Sequence, residues 1–144
     1  MEDIRSILSQ FNTKKKKKTA VAEIQKSGTG PHAEASVSAI PDLFFDEVLQ
    51  KVKLSRHEIA LLMFLYRQVW CRPNLYKSHG IGPLNSYSEL AQFLQVTTEE
   101  LAQELRTLET YGFIETVRAG QYFVRKYFTE ALDIKYGQDY DQFF

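Results

Sequence analysis

Residues 86–127 read SYSELAQFLQVTTEELAQELRTLETYGFIETVRAGQYFVRKY, and this stretch decides the fold. Ser86 and Glu89 have the spacing of a capping box, in which the serine side chain accepts from a backbone N–H one turn in and the glutamate reaches back. Thr97 and Glu100 repeat it. The first helix so defined carries Leu90, Phe93 and Leu94, an i, i+3, i+4 stripe that buries one face. Gln95, Val96 and Thr97 leave room only for a sharp turn. The second helix, Thr98 to Thr110, carries Leu101, Leu105 and Leu108, and Gly112 stands where a helix C-terminus favours glycine.

Beyond Gly112 the period changes. Phe113, Ile114 and Val117, then Tyr122, Phe123, Val124 and Tyr127, are β-formers on either side of Ala119-Gly120, which is the signature of a hairpin. Two helices around a tight turn, followed by a hairpin, make a winged helix-turn-helix: mainly α with a small β-hairpin. The cadence resembles bacterial winged-helix DNA-binding domains in its S-x-x-E-L-A helix (Ser86 to Ala91), V-T-x-E turn (Val96 to Glu99) and L-x-x-Y-G-F-I-E exit (Leu108 to Glu115).

Working outward, residues 40–85 supply the rest of a core. Pro41 suits a first helical turn, and Phe44, Val48, Leu49 and Val52 follow at helical spacing. Ser55 and Glu58 form a third capping box. The helix from Arg56 to about Trp70 is apolar on most sides (Ile59, Leu61, Leu62, Met63, Phe64, Leu65, Tyr66, Val69), so it belongs at the centre of the domain. Residues 71–85 contain Pro73, Gly80, Gly82 and Pro83 and read as a long loop. The loop carries Arg72, Lys77 and His79, with Arg67 one turn before it.

The ends differ in character. Ile4, Ile7, Leu8 and Phe11 fall at i, i+3, i+4, i+7, a segment too short to be stable alone. It can dock on its own domain, fold into a protein partner's groove or lie on a membrane surface, though Arg5 is the only basic residue on its polar face. Lys14 to Lys18 are a like-charge block, either a solvated spacer or a salt-sensitive hold on phosphates. Residues 19–39 read as a flexible linker. At the other end, Thr129 to Tyr136 reads as a closing helix, of the kind that allows a homodimer, with Gly137 as its stop. The chain thus divides into a tail (1–39), a domain (40–137) and an aromatic, acidic tail (138–144).

Charge is unevenly spread. Residues 1–40 hold seven Lys/Arg against four Asp/Glu, a net +3, while residues 41–144 hold eleven against fourteen, a net −3. Duplex affinity comes mostly from neutralised phosphates, so a positive excess that sits in the tail and not in the domain argues against tight duplex binding by the domain itself. Cys71 is the single cysteine, which excludes an internal disulfide. His32, His57 and His79 are scattered, and no Cys/His pair has ligand spacing. Neither a secretory leader nor a bilayer-spanning run is expected, so the chain reads as cytoplasmic with no membrane partner.

A narrower resemblance covers roughly residues 40–118. The runs I-P-D-L-F-F-D-E-V-L and K-L-S-R-H-E-I-A-L-L-M-F-L-Y-R, a Gly/Pro-rich loop and S-Y-S-E-L-A are similar to the winged-helix domain of phage and plasmid replication initiators. That resemblance implies binding to double-stranded DNA, with Thr98 to Thr110 in the major groove and the wing tip, Arg118 to Gln121, beside the minor groove or backbone. The expected contacts are Thr98, Gln103, Arg106 and Thr107 on the helix, Arg118 and Gln121 on the wing, and Arg72 and Lys77 on the loop. The outward positions Glu99, Glu100 and Glu104 oppose phosphate, which keeps open a protein-binding adaptor that uses the winged helix and Ile4, Ile7, Leu8 and Phe11. Arg118, Arg125 and Lys126 leave the wing basic. No nucleophile with a placed base, phosphate loop or metal cluster supports catalysis, and no cofactor is expected.

Overall fold

The computed structural model describes residues 34–141 together with Val21 and Ile24. The chain forms two compact units, residues 1–37 and 38–144. In the first, Val21 and Ile24 have helical backbone where a flexible linker was expected, and both side chains are exposed; nearby Ala20, Ala22 and Glu23 are strong helix formers. The apolar segment with Ile4, Ile7, Leu8 and Phe11, the lysine run 14–18, and Phe143 and Phe144 lie outside the described residues.

The second unit is mainly helical with one antiparallel two-stranded hairpin. Helix α1 begins as a π-helical turn, Phe44–Val48, and continues as Leu49–Lys51. Helix α2, Arg56–Tyr66, runs on into a π-helical turn, Arg67–Cys71. Helices α3 (Tyr87–Leu94) and α4 (Thr98–Thr110) precede strands β1 (Ile114–Arg118) and β2 (Gln121–Val124), and α5 (Glu130–Lys135) follows. No helix among the described residues is long and apolar enough to cross a membrane.

The local signals act as their chemistry dictates. Ser55 with Glu58 and Thr97 with Glu100 both close complete capping boxes, while Ser86 accepts from the Glu89 N–H at 3.4 Å as a simple N-cap. Gln95 turns the chain between α3 and α4 at φ 59°, and the two helices are separated by three residues, as expected. At the end of α4, Phe113 N–H bonds Leu108 O (3.1 Å) and Gly112 N–H bonds Glu109 O (2.9 Å), the paired bonds of a Schellman motif. Gly112 sits at φ 82° to allow it.

Helix α2 is the core's axis, with Leu61, Leu62, Leu65, Tyr66 and Val69 all buried. Around it pack Phe44 and Val48 of α1, Leu90, Ala91 and Leu94 of α3, Leu101, Leu105 and Leu108 of α4, and Phe113, Ile114, Tyr122, Val124 and Phe128 beyond. The α3 stripe is therefore rotated from the expected one. Ala91 is inside and Phe93 is 64% exposed, resting against the Phe64 ring at 4.7 Å.

The loop expected over residues 71–85 is partly ordered into regular pieces. Lys77–His79 forms a 3-10 turn, and Ile81 bridges Phe123. Gly80 O accepts from Val124 N–H (2.8 Å), Gly82 N–H donates to Tyr122 O (3.1 Å), and Asn85 N–H donates to Gly120 O (2.7 Å). The segment 80–85 thus runs along the free edge of β2, opposite β1. Chain direction and the alternate glycines Gly80 and Gly82 make this possible, since both are buried against the hairpin.

The polypeptide after β2 is held by a buried carboxylate. Asp133 accepts from Tyr127 N–H (3.0 Å), Arg125 Nη1 (3.2 Å) and the Tyr140 hydroxyl (2.7 Å). Tyr140 Oη in turn accepts from Lys126 N–H at 2.9 Å. Burial and then the bond to Asp133 push the Tyr140 phenol well above its ordinary range, so it stays the donor. Helix α5 accordingly turns Asp133 inward and leaves Ile134 73% exposed. Tyr140 also packs on Phe123 and Trp70.

Two glycines with similar φ give a sharp contrast. A Cβ on Gly120 (φ 87°) would lie 2.2 Å from Asn85 O, whereas one on Gly112 meets nothing within 4 Å. Gly112→Ala should cost the left-handed penalty alone, about 1–2 kcal/mol. Gly120→Ala should cost clearly more in urea unfolding; equal losses would mean that the hairpin turn is not pinned to Asn85.

Candidate nucleic-acid interface

The outer face of α4 and the tip of the hairpin are the surfaces on which most of the sequence-derived contact residues fall. Thr98, Gln103 and Arg106 are exposed and Thr107 is half-buried. They are linked: Arg106 Nη2 donates to Gln103 Oε1 (3.2 Å), and the Thr107 hydroxyl donates to Gln103 O (3.1 Å). Thr110 donates to Arg106 O at 2.8 Å. Thr98 Oγ1 reaches Glu99 Oε2 at 3.4 Å. Arg106 also lies close enough to Tyr87, the first residue of α3, to oppose the upward push that burial gives that phenol.

The acidity expected on this face is corrected at Glu104. Its side chain points inward and is buried, not outward. Oε1 lies 3.6 Å from Nδ1 of His57 at the start of α2, and Oε2 is buried with no hydrogen-bond partner. Burial raises the Glu104 carboxyl above its ordinary 4.5; His57 opposes this, and Glu100 and Glu58 add to it. The sequence did carry a signal. Glu104 falls at i+3 from Leu101 and i−4 from Leu108, inside the apolar stripe, where a carboxylate must be paired or neutral.

The other glutamates of α4 are engaged locally. Glu100 caps Thr97 N–H through Oε2 at 3.4 Å. Glu109 Oε1 accepts from Thr116 N–H (2.9 Å) and from the Thr116 hydroxyl. Glu109 therefore ties α4 to β1 and covers part of that strand's open edge. Sequence reasoning assigned it no role.

At the tip, a bulge between Thr116 and Arg118 places Arg118 opposite Gln121. Arg118 is exposed and Gln121 is half-buried. Gln121 Nε2 donates to Gly82 O (3.0 Å) and its Oε1 accepts from Arg118 Nε (3.0 Å), so both ends of the amide are used within the chain. Beside the tip lies a groove of about 530 Å³ lined by Tyr76, Ile81, Val117, Arg118 and Phe123. Lys77 follows Tyr76 and is exposed. Arg72, at the end of α2, is half-buried and shares no hydrogen bond or ion pair with the other candidates among the described residues.

The expected basic wing is narrower than the sequence suggested. Arg125 is half-buried, paired with Asp133 at 3.2 Å and stacked over Phe123 at 5.3 Å. Lys126 lies over the Trp70 ring at 5.6 Å. Both follow β2 rather than belonging to it, which leaves Arg118 as the outward cation of the hairpin. Compared with protein-family models, curated proteins and solved structures, the chain finds no match in any of the three.

Burial of Glu104 makes the stability of the fold depend on pH with a definite sign. Its folded-state pKa is raised, so the folded state binds that proton more tightly; the resulting stability is present below about 4.5 and is lost as pH rises through the folded value. Glu104→Gln removes the titration. In urea unfolding, the wild type should lose stability relative to this variant as pH rises above about 4.5. A gap that stays constant would show that folding leaves the carboxylate solvated, and one that moves the other way would show that pairing with His57 outweighs burial.

Proposed function

We propose that this chain is a winged-helix protein that binds double-stranded DNA, as a transcriptional regulator or replication-initiation factor of bacterial or phage type, without catalytic activity. The order of elements supports the reading. A helix pair, a connecting loop, the α3–turn–α4 unit and the β1–β2 hairpin follow one another in the order the family resemblance implies, and the loop adds an edge bridge at Ile81. The observation that carries it is the inward turn of Glu104 against His57. It removes a carboxylate from beside Gln103 and Arg106 and leaves that amide–guanidinium pair exposed.

In this reading, the outer face of α4 enters the major groove. Arg106 suits guanine and Gln103 suits adenine, because each presents a two-pronged donor or donor–acceptor edge. Glu99 and Glu100 shift contact away from the first turn toward Gln103, Arg106 and Thr107, with Thr98 at the margin. Arg118 meets a phosphate from the hairpin tip and Lys77 from the loop. The net +3 of residues 1–40 adds affinity without sequence information.

The second reading, a protein-binding adaptor, is favoured by the apolar groove beside the tip and by exposed Phe93. Mobility shifts over a salt series separate the two. DNA binding through the domain predicts that Arg118→Ala lowers the salt slope by about one. Arg106→Ala should cost about 1–3 kcal/mol on a preferred site and flatten its sequence preference. If neither change matters and deletion of residues 14–18 abolishes binding, the tail alone holds DNA and the adaptor reading takes over.

A further inference from the structure

The wing residue Gln121 was expected to touch DNA, yet its side chain faces the protein. Its amide has one orientation that satisfies both neighbours. Gly82 O can only accept, so Nε2 must face it; Arg118 Nε–H can only donate, so Oε1 must face that. Gly82 is itself fixed, its N–H bonded to Tyr122 O at 3.1 Å, and a Cβ added to it would come within 3.1 Å of Val69 Cγ2. On the other side of the turn, Gly120 O accepts from both Asn85 N–H (2.7 Å) and Asn85 Nδ2 (3.2 Å). Asn85 and Gln68 exchange amide hydrogen bonds at 2.8 and 3.1 Å. The tip is therefore bound to segment 80–85 at two points, Gly82 and Asn85, and Asn85 is in turn tied to Gln68 at the end of α2.

We propose that Gln121 is a positioning residue, which holds the Arg118 guanidinium in the orientation that grips a phosphate. A free arginine side chain has many rotamers, and ordering it opposes binding. Here Nε is already bonded, and the two terminal nitrogens have no partner among the described residues. They form a fork on an exposed tip, the geometry that phosphate oxygens accept in pairs. The functional half of this inference rests on the DNA-binding reading above; the orientation itself does not.

Two measurements test it. In the full chain without DNA, the Arg118 Nε–H should exchange slowly with solvent by nitrogen-15 NMR, and should become fast in Gln121→Leu. Fast exchange in the wild type would overturn the proposal whether or not the chain binds DNA. On DNA, Gln121→Leu should weaken binding roughly three- to tenfold, the cost of ordering one long side chain. Its salt slope should match the wild type, because the charge remains. Arg118→Ala should lower the slope, and the double variant should bind no worse than Arg118→Ala alone. Additive losses would show that Gln121 acts on its own and would overturn the positioning role. Backbone amide shifts of β2 report whether Gln121→Leu keeps the hairpin. If it does not, Gln121→Asn, which keeps the amide but is too short to reach both partners, replaces it with the same expected results. A wild type that fails to bind duplex DNA refutes the function proposed above and, with it, the phosphate grip, while slow Arg118 exchange would still establish the held side chain.

Discussion

Strand β2 has two edges, and both must find hydrogen-bond partners because the strand is largely buried. β1 satisfies one through the hairpin register. The other is met by Gly80 and Gly82, with Asn85 bonding Gly120 at the turn, all residues of a segment with no strand pattern of its own. Much of the remaining structure follows from this requirement. The loop after α2 must return along the hairpin, its glycines must lie against Phe123 and Val69, and Gly120 must come into contact with Asn85. The N-cap of α3, Ser86, then starts one residue beyond the last of these bonds. Trp70 Nε1 and the Tyr66 hydroxyl add ties from α2 to Val124 O and Lys126 O, at 3.0 Å each.

A second theme is where the protein places its charges. Among the described residues two carboxylates are buried, and they are treated differently. Asp133 is fully engaged by three donors, one of them a guanidinium, so it binds the chain after β2 into the body of the unit. Glu104 has a single half-exposed partner, His57, and one oxygen without any. Such a group is costly when ionised, and its cost falls on the helix whose outer face is the candidate interface. Inward placement of Arg125 has the opposite effect on the hairpin, reducing its outward positive charge. The exposed surface is thus less acidic on α4 and less basic on the hairpin than the sequence implies.

How much could be read in advance follows from the range of each interaction. Capping boxes at Ser55 and Thr97, the N-cap at Ser86 and the Schellman bonds at Gly112 involve residues three to five apart, so spacing alone reveals them. The Leu101, Leu105, Leu108 stripe and the buried α2 are equally local. Phe93 was misplaced because a stripe of three apolar residues on a two-turn helix does not say which side its neighbours occupy. Asp133 sits among apolar residues of a short helix whose pattern does not name the donors it gathers, and Gln121 was expected to face DNA because its partner Gly82, 39 positions earlier, is set by how the chain folds back. Glu104 was visible as a polar residue in an apolar stripe, but His57, 47 positions earlier, was not.

By itself the sequence determined that this is a mainly helical unit closed by a β-hairpin, since hydrophobic period and terminal caps are written into neighbouring residues. Tertiary structure alone decided which charges face solvent and which side chain is left pointing outward at the hairpin tip. Those outcomes depend on packing between segments that meet only in the fold, where Glu104 comes against His57 and the free edge of β2 finds Gly80 and Gly82. No local pattern encodes such meetings.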